Sequence, residues 1–244
     1  MRAVTQPRTV RYGADPSQFA ELWLPSGTPR GVVVVIHGGF WRARYDLDLG
    51  RPLAASLVAH GRAAWNIEYR RVGNGGGSPE TLDDVASAID ALADQDLELS
   101  RVITVGHSAG GHLATWAASR GRDPRWPVRV AVTGVVSQAG VLDLRSAYDE
   151  HLGDGAVEAF LGHPPGLEDD PVDPIRQVPL DVAVHCVHAT GDDTVPVSQS
   201  RAYVAAAAAA GAAAELTEVE GDHFVVIDPA SGVWRRTLEI LERL

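Results

Sequence analysis

The sequence predicts an α/β protein with one mostly parallel central sheet and helices on both of its faces. Strand-like and helix-like stretches alternate along most of the 244 residues, which is typical of parallel strands connected by helices. Several strand-like runs are apolar without alternation, VVVVI at 32–36 being the clearest, so both faces of these strands should be buried. Apolar residues make up 45% of the chain, which is enough for a sizeable core.

The predicted strands and helices follow one another in chain order. Strands are expected at 19–24, 31–36, 63–69, 101–105, 130–136, 182–187 and 215–219. Helices are expected at 81–92, 109–120, 198–210 and 233–244. Ser78 should cap the first of these helices with Pro79 in its first turn, and Gly121 should end the second.

Residues 143–179 interrupt this alternation. The segment carries three consecutive acids at 168–170 and five prolines, at 164, 165, 171, 174 and 179. Because the sheet pattern resumes after it, we expect a small excursion from a single domain spanning 1–244, and not a linker between two domains. We call residues 143–179 the excursion and expect it to act as a lid over the site.

Charge and composition limit the classes of partner. The net charge of −11 argues against nucleic acid or an anionic membrane as the main partner. No apolar stretch has the length of a signal peptide or a membrane span, so a cytoplasmic protein is expected. The single cysteine, Cys186, has no partner for an internal disulfide, which fits a reducing compartment. The sequence does not indicate the oligomeric state.

The most specific local pattern is GHSAG at 106–110, which fits G-x-S-x-G between a predicted strand and a predicted helix. In such an elbow the serine lies in a strained turn, so small residues are needed on either side. Ser108 would then be presented at the carboxyl edge of the sheet as a nucleophile, with the N–H of Ala109 directed at the reacting carbonyl oxygen. The alternative interpretation is a glycine-rich turn with a capping serine.

A nucleophilic serine needs a base, and the base in turn needs an acid. Of the nine histidines, His223 is the best candidate base, because it follows the last predicted strand in a loop before the final helix. Two acids, Asp192 and Asp193, follow a strand between the serine and this histidine, and the residues alone leave both open. A turn histidine and exposed loop acids are the alternative interpretations.

A second glycine motif, HGGFW at 37–41, ends the predicted strand 31–36, so the backbone there must turn tightly or approach something closely. With these motifs in this order, the chain resembles the α/β-hydrolase superfamily, and within it the esterase and kynurenine formamidase (arylformamidase) branch. The resemblance covers nearly the whole chain and implies the α/β-hydrolase fold.

The resemblance also implies roles for particular residues. The H-G-G-x-W motif of this branch helps to form an oxyanion hole, so the N–H groups of Gly39 and Phe40 are the expected donors beside Ala109. Family members commonly read H-G-T-x-D-x-x-V-P, which residues 188–196 match with alanine for the first glycine, and this spacing selects Asp192. Ser78 stands where the family usually has an aromatic residue. The elbow sequence is common to general esterases and is not specific to formamidases.

Together these features predict a serine hydrolase that acts on a small carboxylic ester or aryl formamide through Ser108, His223 and Asp192. No metal or organic cofactor is expected, since there is no cysteine cluster and no H-E-x-x-H spacing. A peptidase, thioesterase or acyltransferase on the same triad is an alternative, as is a catalytically silent relative that acts as a binding module. A dinucleotide binder would need G-x-G-x-x-G, which GHSAGG does not match.

Overall fold

The computed structural model describes residues 6–244, and its centre is an eight-stranded sheet. The strands are β1 (Arg8–Arg11), β2 (Phe19–Trp23), β3 (Val32–Ile36), β4 (Ala63–Ile67), β5 (Val102–His107), β6 (Gly134–Gln138), β7 (Ala183–Ala189) and β8 (Ala214–Val219). Their order across the sheet is β1-β2-β4-β3-β5-β6-β7-β8. β2 is antiparallel to β1 and β4, and all other neighbouring pairs are parallel. The carboxyl ends of β3 and β5–β7 therefore meet at one edge.

Helices cover both faces of this sheet. They are α1 (Arg51–Ala59), α2 (Glu80–Asp90), α3 (Ala109–Ser119), α4 (Leu144–Asp149), α5 (Ala156–Leu161), α6 (Ser198–Ala209) and α7 (Gly232–Arg243). Alternate residues of β3 enter two different buried clusters: Val32 and Val34 pack with α2 and α3, whereas Val33 and Val35 pack with α1 and α7. The predicted α/β class, with a mostly parallel sheet and helices on both faces, is confirmed.

All seven predicted strands form, with shifted ends. The largest shift is in β6, which begins at Gly134 and not at residue 130. The cause is Asp90, whose carboxylate accepts hydrogen bonds from the backbone N–H groups of Arg129 and Val130, so these residues are held outside the sheet. The strand β1 and the helices α1, α4 and α5 were not predicted. In β1 the sequence RTVR is mostly exposed and has no apolar pattern to detect.

The predicted helix cap at Ser78 is wrong. α2 has Pro79 at its N-cap position with no side-chain cap, and the Ser78 N–H donates to the Phe160 carbonyl (2.7 Å). The Thr81 hydroxyl accepts from the Gly77 N–H instead (3.1 Å). The chain before α2 is therefore fixed by α5, a tertiary contact that a local capping rule does not include.

The excursion packs onto the rest of the fold. It contains α4, α5 and two 3-10 turns, Leu167–Val172 and Pro174–Gln177. Its ends are joined where the Ile175 N–H donates to the Leu142 carbonyl (2.9 Å). Val157 and Phe160 of α5 are buried in the same cluster as α2 and α3. Among residues 6–244, no helix is long and apolar enough to cross a membrane.

Candidate active site

Ser108 lies in a strained turn between β5 and α3. Its φ of 57° and ψ of −121° are unfavourable for a residue with a side chain, and the N–H of Ser108 donates to the Gln138 carbonyl (2.8 Å). A Cβ atom at position 106 would overlap the Gly110 carbonyl, and one at position 110 would overlap the Ile36 carbonyl. The small residues that flank the serine are thus a steric requirement of the elbow.

Asp192 and His223 form a buried pair at the same edge of the sheet. His223 Nδ1 lies 2.6 Å from Asp192 Oδ2, and both side chains are almost completely buried. The other carboxylate oxygen of Asp192 accepts from the backbone N–H groups of Thr194 (2.9 Å) and Val195 (2.8 Å). Asp193 is exposed, and its carboxylate accepts from the Thr194 hydroxyl (3.2 Å). Of the two candidate acids, only Asp192 faces the histidine.

The carboxylate of Asp192 also faces a second imidazole. His188 is fully buried, and its Nε2 lies 3.4 Å from Asp192 Oδ2 and 2.8 Å from the Val195 carbonyl. Burial alone would raise the pKa of Asp192, but hydrogen bonds from His188, His223 and the Val195 amide outweigh it and hold that pKa well below its usual range. Asp192 is therefore ionised at neutral pH, the state that a partner of an imidazolium needs.

His223 contacts the serine elbow at His107, the residue that precedes Ser108. The His223 carbonyl accepts from His107 Nε2 (2.9 Å), and the centroids of the two rings are 4.4 Å apart. Among the hydrogen bonds of residues 6–244, none joins the Ser108 hydroxyl to His223. In free enzymes such contacts are often long and shorten when substrate binds. The fold thus brings the acid and the base together and places both beside the elbow.

The segment His37–Trp41, which we call the oxyanion loop, has an unusual backbone. Gly39 has a φ of 112°, and the two residues that follow, Phe40 and Trp41, also have positive φ values, of 50° and 55°. The backbone N–H groups of Gly39, Phe40 and Ala109 make none of the loop and turn hydrogen bonds found within residues 6–244. These three groups are free to bind an acceptor, and their role as oxyanion donors stays a prediction.

Glu68 directly follows β4, and its carboxylate contacts His37 of the oxyanion loop. The sequence alone did not identify it as a functional residue. One oxygen of its carboxylate accepts from His37 Nε2 (3.1 Å) and the Tyr69 N–H (2.9 Å), and the other accepts from the Leu47 N–H (3.0 Å). Arg71 completes the group with an ion pair to Glu68 (3.1 Å). The one signal in the sequence was an acid inside the predicted strand 63–69, and it does not identify the residues that Glu68 contacts.

The excursion also carries the one cluster of potential metal ligands within residues 6–244. His163, Glu168 and Asp169 offer ligand atoms within 4.8 Å of one another. His163 Nε2 lies 3.7 Å from Asp169 Oδ1. The pKa of His163 is raised, mainly by its hydrogen bond to the Pro164 carbonyl and less by the carboxylates of Asp169 and Glu168. An ion pair accounts for this arrangement.

Lowering the pH from 7 to 4 is expected to destabilise the folded state. Burial lowers the pKa of His107 to about 3 and that of His112 to about 4, against about 6.5 in an unfolded chain. The stability that these neutral side chains contribute is complete above pH ~6.5 and is lost as the pH falls through the lowered pKa values. For His112 this amounts to about 3 kcal/mol.

Urea unfolding of the wild type and of His112→Asn at pH 7, 5.5 and 4 measures this contribution. The variant should lose less stability over this interval than the wild type, because asparagine does not titrate. Carboxylates contribute equally to both proteins, so the difference between the two slopes reports His112. Parallel slopes would show that the imidazole takes up its proton in the fold over the same pH interval as in the unfolded chain, so that burial does not keep it neutral.

The fold and this site define an α/β-hydrolase: a mostly parallel sheet with a serine elbow, an Asp–His pair and an oxyanion loop at its carboxyl edge. The model of the BD-FAE family matches residues 21–206, and the chain belongs to that family. The predicted resemblance to esterases and formamidases of this superfamily is confirmed. The catalytic roles of the individual residues remain predictions.

Two curated relatives illustrate the range of this similarity. Esterase LipC of Mycobacterium tuberculosis is 27% identical over 225 residues, which cover 83% of this chain and 55% of that protein. Kynurenine formamidase of Danio rerio is 26% identical over 234 residues, which cover 93% of this chain and 78% of that protein. The chain therefore spans little more than half the length of the first of these relatives.

Solved structures share the fold over nearly the whole chain. Esterase B from Lactobacillus rhamnosis superimposes with a TM-score of 0.83 at 21% identity, and the match covers 97% of this chain and 84% of the esterase. A truncated carbohydrate esterase from gut microbiota superimposes with a TM-score of 0.80 at 21% identity, and the match covers 98% of this chain and 96% of that esterase. These likenesses place the eight-stranded sheet and its helices within the α/β-hydrolase fold.

Proposed function

We propose that this chain is a serine hydrolase that cleaves a small carboxylic ester through an acyl-enzyme. The observation that carries the proposal is the buried Asp192–His223 pair, 2.6 Å apart, beside the strained turn of Ser108. Esterases among the relatives and an oxyanion loop with free N–H groups support it further. We also propose that residues 1–244 form one domain, since the buried side chains of the excursion belong to the main core.

The proposed reaction has two halves, acylation of Ser108 and hydrolysis of the acyl-enzyme, and His223, Asp192 and the oxyanion donors act in both. His223 Nε2 takes the proton of the Ser108 hydroxyl as its oxygen attacks the substrate carbonyl, while Asp192 holds Nδ1–H and stabilises the imidazolium. The developing oxyanion accepts hydrogen bonds from the N–H groups of the oxyanion loop and Ala109. His223 then returns the proton to the leaving alcohol. Water attacks the acyl-enzyme by the same route and releases the acid.

An aryl formamide is the second candidate substrate. A kynurenine formamidase aligns with 93% of this chain, and the formamide carbonyl needs the same nucleophile and oxyanion donors. Phe224 is 53% exposed, and its ring centroid lies 5.3 Å from that of His223, so an apolar surface adjoins the base. Such a surface suits an aromatic leaving group of either an ester or an amide.

A parallel turnover screen distinguishes these substrates. The wild type would be assayed with p-nitrophenyl acyl esters of increasing chain length, with feruloyl esters and with N-formylkynurenine, and Ser108→Ala would give the background for each. We expect turnover of at least one ester class above that background. Hydrolysis of the formamide alone would select the second candidate, and turnover of none of them would contradict the proposed function.

Replacing Gly39 with valine is expected to lower kcat by about 10²–10³ with a much smaller effect on KM, as for loss of an oxyanion donor. The φ of Gly39 is 112°, and an added Cβ atom would lie 2.5 Å from Tyr45, so the oxyanion loop must move. Gly211→Val is the matched control, because Gly211 also has a positive φ (74°) but has open space around it and lies far from the loop in sequence. A rise in KM at constant kcat would instead show that the loop contacts the substrate without stabilising the oxyanion.

A further inference from the structure

The oxyanion loop is held by side chains that lie outside it. Two consecutive residues with side chains, Phe40 and Trp41, have positive φ values, and such backbone persists only where its surroundings fix it. Trp41 is fully buried, and its indole ring stacks on Phe160 of the excursion with centroids 4.6 Å apart and an interplanar angle of 19°. The conformation of the loop therefore depends on what contacts this indole.

The polar contact of the indole is with His112, on the first turns of α3. Trp41 Nε1–H donates to His112 Nδ1 (3.2 Å), and His112 Nε2 lies 2.8 Å from the carbonyl oxygen of Val172. An indole N–H can only donate and a carbonyl can only accept, so Nδ1 must be the unprotonated nitrogen and Nε2 must carry the proton. Both nitrogens of a neutral, fully buried His112 are thereby used.

These two hydrogen bonds join three separate parts of the chain. Trp41 belongs to the oxyanion loop, His112 to the helix that begins at the serine elbow, and Val172 to the excursion. A second connection lies next to the loop: the guanidinium of Arg42, the residue after Trp41, donates to the carbonyls of Gly153 (2.5 Å) and Asp154 (3.1 Å) in the excursion. The excursion therefore contacts both Trp41 and the residue that follows the oxyanion loop.

We propose that His112 is a positioning residue that fixes the oxyanion loop: its Nδ1 accepts the hydrogen bond of the Trp41 indole, and the Val172 carbonyl of the excursion holds the proton on Nε2, so that Nδ1 stays an acceptor. The inference rests on the proposed function, because the loop matters for catalysis only if the chain forms an oxyanion there. It differs from the lid expected from the sequence. A lid would mainly select substrates, whereas a support of the loop mainly sets kcat.

Two replacements of His112 separate its two hydrogen bonds. The side-chain oxygen of asparagine takes the place of Nδ1, so His112→Asn keeps the acceptor for the Trp41 indole and loses the link to Val172. The amide nitrogen of glutamine takes the place of Nε2, so His112→Gln keeps the donor to Val172 and leaves the indole N–H unpaired. If the proposal holds, the asparagine variant stays within about threefold of the wild-type kcat, and the glutamine variant loses about 10–100-fold.

Trp41→Phe removes the same indole donor from the other side while retaining an aromatic ring against Phe160. It should lower kcat by about 10–100-fold with KM changed less than threefold. Trp65→Phe is the matched control, because it removes a buried indole hydrogen bond of the same kind, to the Ala88 carbonyl (2.8 Å), from β4. The control should lose comparable stability, measured by thermal unfolding, with unchanged kcat. A merely structural role for Trp41 would make the two variants alike.

Hydrogen exchange of the peptide covering 38–45 gives a readout that does not need turnover. It should exchange faster in His112→Gln and Trp41→Phe than in the wild type and His112→Asn, while a peptide from β7 stays unchanged in all of them. Equal kcat and equal exchange in the asparagine and glutamine variants would overturn the inference. If the wild type hydrolyses no tested substrate, the proposed function fails, and the exchange comparison alone still decides whether His112 fixes the loop.

Discussion

Ser108→Ala is expected to lower kcat by about 10⁶, the loss that follows removal of a triad serine in hydrolases of this mechanism. The alanine variant has no oxygen to attack the carbonyl, so only the oxyanion donors and substrate binding continue to accelerate attack by water. The fold should survive, because within residues 6–244 the Ser108 hydroxyl takes part in no hydrogen bond and its N–H still donates to the Gln138 carbonyl. Kinetics at saturating ester, with circular dichroism of the variant, measure this.

A fluorophosphonate probe provides an independent test of the same residue. The probe should label the wild type at Ser108 and leave Ser108→Ala unlabelled. Ser119→Ala is the matched control: Ser119 is a buried serine at the other end of α3, whose hydroxyl bonds the Trp116 carbonyl (2.9 Å), and its replacement should leave labelling complete. Labelling at another residue, or full activity without Ser108, would remove the basis of the proposed mechanism.

The elements that the sequence predicted best are those whose structure is determined locally. The elbow is a short strand–turn–helix unit in which glycines 106 and 110 are required by carbonyls that a Cβ atom would overlap. The central strands β3, β5 and β6 are covered on both faces, so their apolar runs are visible without any knowledge of neighbours. Asp192 and His223 each follow a strand, in the chain order that the superfamily pattern requires, so the sequence could also predict that both lie at the carboxyl edge of the sheet.

The features that the sequence did not reveal depend on contacts between distant parts of the chain. Glu68 is recognisable as a support only when Leu47 and His37 are seen on its carboxylate. Likewise, His112 is an ordinary helix residue until Trp41 and Val172 are placed on its two nitrogens, 71 and 60 residues away along the chain. Apolar periodicity carries no information about such pairings. The cap assigned to Ser78 was wrong for the same reason.

The choice between Asp192 and Asp193 shows how far each kind of argument reaches. Local chemistry left both open, since adjacent aspartates after a strand are chemically identical. The spacing within the superfamily selected Asp192, and in the fold Oδ2 of Asp192 lies 2.6 Å from His223 Nδ1 while Asp193 is exposed.

Asp192→Asn is therefore expected to lower kcat by about 10⁴, the loss seen when the triad acid becomes neutral and the wrong imidazole tautomer results. The contacts of Asp192 give the reason. Its Oδ1 accepts from two backbone N–H groups, those of Thr194 and Val195, so the remaining oxygen of an asparagine amide must stay there. The NH₂ group then faces His223 Nδ1, which must become an acceptor, and the proton moves to Nε2, where it blocks uptake of the serine proton.

Asp193→Asn is the matched control, one residue away with the same change of charge. It should alter kcat by less than about tenfold, because Asp193 is exposed and its contact with the Thr194 hydroxyl can be kept by an amide oxygen. Both variants would be measured at saturating ester, with circular dichroism to establish that they fold. If Asp193→Asn is the inactive variant, Asp193 and not Asp192 is the acid of the triad. If both variants stay active, the acid lies on another strand, and the 2.6 Å contact between Asp192 and His223 serves the fold and not the reaction.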